Sequence, residues 1–146
     1  MKHLDLLRQL CRIALIAWVF LIGTNAASAA DNSDIYGRWR ITKVLGAADV
    51  TAMSDKQARA LIGKAVVIEP NVFVFNGEKC DAPGYKRTSQ DLILSFREEG
   101  HASSAKMGLP DPVTSIDAGC THIFLKKPQV LVIHWDGFYF DAVRQR

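Results

Sequence analysis

The chain has 146 residues, which is ample for one domain and short for two. Hydrophobic residues make up 49% of the chain and charged residues 23%, a composition that excludes disordered and fibrous proteins. The formal net charge of +3 is too small to indicate a nucleic-acid partner.

The start of the chain has the three-part pattern of a secretory signal peptide, residues 1–29. Basic residues come first, an apolar run covers residues 13–22, and Ala-Ser-Ala at residues 27–29 is a signal-peptidase site. The apolar run is short for a membrane span, and an uncleaved anchor is the alternative. We therefore expect residues 30–146 to be one periplasmic or secreted domain that has no membrane contact after cleavage. The signal removes more basic than acidic residues, so this domain is almost neutral.

Two cysteines remain after the predicted cleavage, Cys80 and Cys120. In an oxidising compartment an even pair is typical of one disulfide. Closing a loop of about 40 residues would stabilise the domain by about 4 kcal/mol through the entropy of the unfolded chain. A metal site or a nucleophilic thiol is the alternative, but the pair lacks CxxC spacing.

The first half of the domain predicts a strand followed by a helix. Residues 36–44 alternate in polarity, with Trp39 and Ile41 on one face, as in a half-buried strand. Residues 54–62 change to a helical period. Ser54 with a glutamine three residues later forms a capping box, and a glycine follows the last turn.

The middle of the chain is harder to interpret. Two β-rich segments, residues 64–69 and 72–75, precede an Asn76-Gly77 hairpin turn. Residues 91–98 fit either a strand or a short helix, and we favour the strand. Residues 100–112 contain several glycine and proline breaks and predict a long loop, which is where function often lies.

The C-terminal part has the clearest pattern. Residues 121–125, 129–135 and 138–144 predict strands, and Asp136-Gly137 between the last two is a type I′ hairpin signal. A two-residue turn fixes the register and places six residues on one core face. The predicted pairs are Trp135 with Phe138, Ile133 with Phe140, and Leu131 with Ala142. Arg144 continues that core face.

Short strands separated by turns predict an all-β, mainly antiparallel domain. A small barrel of seven or eight strands, with one short helix and one disulfide, fits the length of the domain. The motif Gly37-Arg38-Trp39 at the first strand and Arg144 at the end of the last strand resemble the lipocalin-like (calycin) superfamily.

In the lipocalin-like superfamily the tryptophan closes one end of the barrel and the arginine packs across it. The resemblance therefore implies a barrel-closing pair, Trp39 and Arg144, with the guanidinium within about 6 Å of the indole. The length of the domain is closer to compact members, such as avidins and periplasmic metalloprotease inhibitors, than to full lipocalins.

Candidate catalytic residues are few. His134 and Asp141 share the outer face of the last hairpin and could form an acid–base pair or bind a metal. The simpler interpretation is a solvated polar pair, because no H-x-H, HExxH or G-x-S-x-G motif supports chemistry. Glycine-rich phosphate loops are also missing from the sequence. We therefore predict a protein that is not an enzyme and has no metal or cofactor.

The predicted long loop is the remaining candidate for a binding site. Its candidate binding residues are His101, Ser103, Ser104, Lys106 and Met107. A loop at the mouth of a rigid barrel can fill an enzyme's cleft. We therefore expect a monomeric exported binding protein, an inhibitor of a protease or of a lysozyme-type hydrolase. The alternative is a carrier of a small hydrophobic ligand inside a lipocalin-like barrel, although the many bulky aromatic residues would leave little space there.

Overall fold

The computed structural model describes residues 31–146, so the predicted signal peptide lies outside the described residues. The strands are β1 (Gly37–Ala47), β2 (Ala65–Glu69), β3 (Val72–Phe75), β4 (Glu78–Asp81), β5 (Lys86–Gln90), β6 (Val113–Asp117), β7 (His122–Lys127), β8 (Val130–Trp135) and β9 (Phe138–Arg144). The helical segments are α1 (Asp55–Ala60), α2 (Leu92–Leu94), a π-helical turn (Ser95–Glu99) and a 3₁₀ turn (Ser104–Lys106). No helix in this part of the chain is long and apolar enough to cross a membrane.

All the strands belong to one antiparallel sheet in the order β4-β3-β2-β1-β9-β8-β7-β6-β5. The first and last strands therefore pair in the middle of the sheet, which curls into a half-barrel. A mainly antiparallel β domain with one disulfide-bonded pair is confirmed, but the predicted count of seven or eight strands is wrong, because nine are present. β4, β5 and β6 were not predicted. β4 and β5 are edge strands that bury few side chains and do not alternate in sequence. β6 is largely buried, but its short sequence follows the glycine and proline breaks of residues 100–112.

Aromatic side chains fill the concave face of the sheet. The ring of Phe75 on β3 lies 5.3 Å from that of Trp135 on β8 and 6.2 Å from that of Phe140 on β9. Three strands separate β3 from β8 in the sheet, so these rings can meet only because the sheet curls around them. Trp39 and Ile41 are buried in the same cluster, on the face that the alternation of β1 predicts.

The local turn and capping signals have the predicted structures. Both residues of the Asn76-Gly77 and Asp136-Gly137 turns have positive φ, as type I′ hairpins require. At the start of α1, Ser54 and Gln57 form the expected capping box, in which the Ser54 backbone N–H donates to Gln57 Oε1 at 2.9 Å. The predicted register is confirmed for the three pairs Trp135–Phe138, Ile133–Phe140 and Leu131–Ala142.

A separate segment, residues 91–109, packs on the convex face and is called the outer cap here. The prediction of a strand over 91–98 is wrong. The Asp91 side chain accepts a hydrogen bond from the Leu94 backbone N–H at 2.8 Å and begins α2 instead. Phe96 and Met107 then join a second apolar cluster with residues of the sheet. Periodicity left both interpretations open, and the N-cap together with burial against the sheet favours the helix.

The two edges of the sheet are linked by a covalent bond and by polar contacts. Cys80 on β4 and Cys120 in the turn between β6 and β7 have their sulfur atoms 2.11 Å apart, which is disulfide distance. The hydroxyl of Tyr85, which precedes β5, donates to the Val72 carbonyl at 3.1 Å. Asn32 donates from Nδ2 to the Tyr85 carbonyl at 2.9 Å and so holds the N-terminal segment across the same seam.

Candidate functional site

The residues of the predicted closing pair face each other in the register of β1 and β9. The guanidinium carbon of Arg144 lies 4.2 Å from the centroid of the Trp39 ring. Its Nη1 donates to the Tyr36 carbonyl at 2.6 Å, and a Cβ added at Gly37 would lie 2.8 Å from that nitrogen. Glycine in the G-x-W motif therefore leaves room for the arginine. These contacts tie the N-terminal segment across one end of the sheet.

Most of the predicted binding loop packs against the convex face of the sheet instead of projecting from its end. Met107 is only 1% exposed and packs in the second apolar cluster, so its side chain is not available to a partner in this structure. Its long flexible side chain instead anchors the outer cap. Ser104 is half-buried, while His101, Ser103 and Lys106 are exposed. Loop length and composition could not show that an apolar anchor holds this segment against the convex face.

A different loop stands at the end of the sheet opposite the Trp39–Arg144 pair. Residues 48–53, the apex loop, are held against the last hairpin by two backbone hydrogen bonds. Ala48 N–H donates to the Gly137 carbonyl at 2.8 Å, and Ala52 N–H donates to the Asp136 carbonyl at 3.0 Å. A third, from Asp49 N–H to the His101 carbonyl at 3.0 Å, ties the apex loop to the outer cap.

The apex loop approaches the hairpin so closely that only glycine fits at one position. A Cβ added at Gly137 would lie 2.7 Å from both the Thr51 Cα and the Val50 carbonyl oxygen. Val50 itself is 84% exposed, and it adjoins an open groove of about 800 Å³. The groove is also lined by Asp49, His101, Trp135 and Glu78. The apex loop thus presents an apolar side chain from a backbone that is held in place.

A row of polar side chains crosses four strands of the convex face. Asp117 on β6 is opposite His122 on β7, and His134 on β8 is opposite Tyr139 on β9. The register of β7 and β8 continues to bring the two histidines side by side, with ring centroids 6.4 Å apart. Asp117 Oδ1 lies 4.0 Å from His122 Nε2, and the His134 ring stacks on Tyr139 at 4.7 Å.

A cavity of about 110 Å³ lies beside this row, under the outer cap. Its lining residues include Gln90, Ser95, Phe96, Gly100, Ser115, Phe124 and the last three residues of the row. His134 Nε2 is shielded from solvent and has no hydrogen-bond partner among the described residues. Burial lowers the pKa of His134, and the neighbouring His122 lowers it further. Burial also raises the pKa of Tyr139 to about 12, so its hydroxyl stays protonated at neutral pH.

The predicted pair of His134 and Asp141 is not brought together. Asp141 is opposite Val132 in the sheet, and both of its carboxylate oxygens accept from Lys126 Nζ, at 2.8 and 3.1 Å. The interpretation of a solvated outer face is also wrong, because the outer cap buries Tyr139 and shields His134 Nε2. Across residues 31–146, no three histidine, cysteine or acidic side chains converge on a possible metal position.

Comparison of the chain with protein-family models, with curated protein sequences and with solved structures finds no match. The candidate site is therefore interpreted from its own geometry and chemistry.

Proposed function

We propose that the chain is a small, monomeric, exported binding protein that acts outside the cytoplasm and inhibits a hydrolase of the protease or lysozyme type. It is proposed to bind its partner without catalysis, and its curled sheet is proposed to be a lipocalin-like barrel that is open along one seam. The pairing of β1 with β9 and the stacking of Arg144 on Trp39 support this finer description of the fold.

The exposed Val50 on the apex loop is the observation that carries the proposal. An apolar side chain in solvent gains free energy when a partner's cleft buries it. Binding also costs less entropy when the loop is already ordered, and the backbone hydrogen bonds from Ala48 and Ala52 to the last hairpin supply that order. The groove beside Val50 offers further surface to the rim of such a cleft.

The packing of the concave face favours a protein partner over a hydrophobic ligand held inside the sheet. Phe73 and Phe75 both contact the ring of Trp135, at centroid distances of 6.0 and 5.3 Å. These rings fill the part of the concave face next to the last hairpin. The space that remains, about 540 Å³ beside Trp39 and Leu131, is an open recess rather than an enclosed ligand cavity. The inhibitor proposal is therefore preferred to the carrier. The proposed contact surface is the apex loop, whereas the sequence had indicated residues 100–112.

The test combines a hydrolase panel with a pair of matched variants. The protein, purified from the periplasm of an expressing bacterium, is mixed with lysozymes of several types and with serine and metalloproteases. We expect a 1:1 complex with at least one enzyme and suppression of its activity. Val50→Asp should weaken that complex at least tenfold, because it places a charge in the buried contact.

Ile62→Asp is the control, because Ile62 is also exposed, at 47%, but lies after α1 and outside the apex loop. It should leave the complex unchanged. Failure of every enzyme class to bind would overturn the proposed function. Equal weakening by the two variants would overturn the role given to the apex loop.

A further inference from the structure

The cavity under the outer cap contains a buried nitrogen that the protein does not satisfy. Buried polar atoms in folded proteins nearly always have a hydrogen-bond partner. His134 Nε2 is sealed from solvent and has none among the described residues. A molecule bound in the cavity beside this nitrogen, about 110 Å³ in volume, could provide the missing hydrogen-bond partner.

The size of the cavity limits what it can hold. An apolar cavity of about 150 Å³ accommodates benzene, and about 10–15 Å³ suffices for one water molecule. The space beside His134 therefore fits several water molecules or one organic molecule of about four to six heavy atoms. A lipid or a sugar is too large to lie wholly within this space.

The walls of the cavity differ in chemistry. One wall is aromatic, because the rings of Phe96 and Phe124 lie 4.9 Å apart and both pack near Tyr139. The other wall is rich in hydrogen-bond donors. The hydroxyl group of the buried Ser115, the imidazole of His134 and the protonated hydroxyl of Tyr139 can all donate.

The polar wall favours an oxygen acceptor over a cation. Among the side chains that the structure describes, no carboxylate lines the cavity, and Asp117, the acidic residue of the row, lies behind His122. A metal ion would need several converging ligands, which residues 31–146 do not provide here. An anionic oxygen, by contrast, forms the stronger charge-assisted kind of hydrogen bond with these donors.

We propose that this cavity binds a small monocarboxylate with a compact apolar part, of the size of propionate. One carboxylate oxygen accepts from His134 Nε2–H, and the hydroxyl groups of Ser115 and Tyr139 donate to the carboxylate. The short alkyl part packs against Phe96 and Phe124. This site lies on the convex face, and His134 and Gly100 line both it and the groove beside the apex loop. The proposal does not rest on the proposed function, because a small carboxylate could bind here whether or not a hydrolase binds at Val50.

Ligand titrations followed by NMR test the proposal directly. Acetate, propionate and butyrate are titrated into the full protein at fixed ionic strength while the imidazole signals of the histidines are recorded. We expect saturable shifts of the His134 and His122 signals, with a dissociation constant of about 1 mM or below for propionate, as befits so small a ligand. Octanoate should bind no more tightly than butyrate, because the rest of its chain exceeds the cavity.

Propionamide, inorganic phosphate and Zn²⁺ separate the competing interpretations. The amide has nearly the shape of propionate without its charge, so it should bind at least tenfold more weakly. Equal binding of amide and acid would overturn the carboxylate assignment. Stronger binding of phosphate or of Zn²⁺ than of propionate would overturn it in favour of another oxyanion or a metal. Absence of any saturable shift would mean that the cavity holds only water.

Two matched histidine variants test the location of the site. His134→Gln keeps a polar side chain at the buried position and should weaken propionate binding at least tenfold. His101→Gln makes the same change at an exposed position outside the cavity and should leave binding unchanged. Ser115→Ala is a milder second variant for the case in which His134→Gln fails to fold. Binding that survives both cavity variants would place the ligand elsewhere and overturn the proposal.

Discussion

The concave and convex faces of the sheet are both packed, but they are closed in different ways. On the concave face the strands supply most of the buried side chains, because curling brings β3 against β8 and β9, and Ile35, Ala58 and Leu61 add to them from outside the sheet. On the convex face a separate segment, the outer cap, supplies Phe96 and Met107 as the cover. The concave core therefore exists only when the whole sheet is formed, whereas the convex cluster can open locally while the sheet persists.

The largest expected effect comes from truncating one large side chain in each core. Trp39→Ala should cost about 3–5 kcal/mol of unfolding free energy, as large aromatic truncations in cores do. Phe96→Ala should cost less than half as much, because the outer cap can detach without unfolding the sheet. Urea denaturation gives both values, and hydrogen exchange should show faster exchange confined to residues 91–109 in Phe96→Ala. Equal losses from the two variants would mean that the cap and the sheet unfold as one unit.

A smaller effect should follow from crowding the contact between the outer cap and the sheet. A Cβ added at Gly100 would lie 2.6 Å from the Tyr139 hydroxyl oxygen and 3.2 Å from the Phe96 carbonyl oxygen. Gly100→Ala should therefore push the outer cap off the convex face, at a cost of about 1–3 kcal/mol. The near-ultraviolet circular dichroism of the tyrosines should change. Gly84→Ala is the control, because a Cβ there meets nothing within 4 Å.

The smallest effect is a dependence of stability on pH that belongs to the convex face. The pKa of His134 is lowered in the folded state, so the unfolded state binds more protons once the pH falls below about 6.5. Stability should therefore decrease as the pH falls through that window towards the folded-state pKa. The urea midpoint at pH 7.5 and at pH 5.5 measures this. His134→Gln should reduce the difference between the two urea midpoints. An unchanged difference would mean that other titratable groups cause the pH dependence.

Local turn and capping motifs, each only a few residues long, predicted the strand register and the helix start on the concave side of the sheet. The Asp136-Gly137 turn fixed the register of the last hairpin, and the capping box at Ser54 fixed the start of α1. These signals suffice because turn and cap geometries are determined by neighbouring residues. β4 and β5 lacked such signals, since hydrogen bonds to a neighbouring strand, rather than a buried face of their own, define them. β6 was missed as well, although it is largely buried, because no turn or cap signal marks where it begins.

The convex face was predicted poorly because its cover comes from elsewhere in the chain. Alternation along β8 correctly put His134 on the outer side of the sheet, but it could not show that residues 91–109 bury that side. Part of the polar row from Asp117 to Tyr139 could nevertheless have been predicted from the sequence. The His134–Tyr139 pair follows from the predicted register of the last hairpin, and the turn after Asp117 brings that residue opposite His122.

The strand order makes this chain a circular permutant of a simple meander. β5 to β9 pair in succession, as do β1 to β4, and only the pairing of β1 with β9 joins strands from opposite ends of the sequence. A chain with its ends joined and opened between β4 and β5 would pair every strand with its sequence neighbour. Its contact order would be lower, and chains of lower contact order fold faster. In the strand order of this protein, the pairing of β1 with β9, which includes Trp39 opposite Arg144, joins the residues that are farthest apart in sequence.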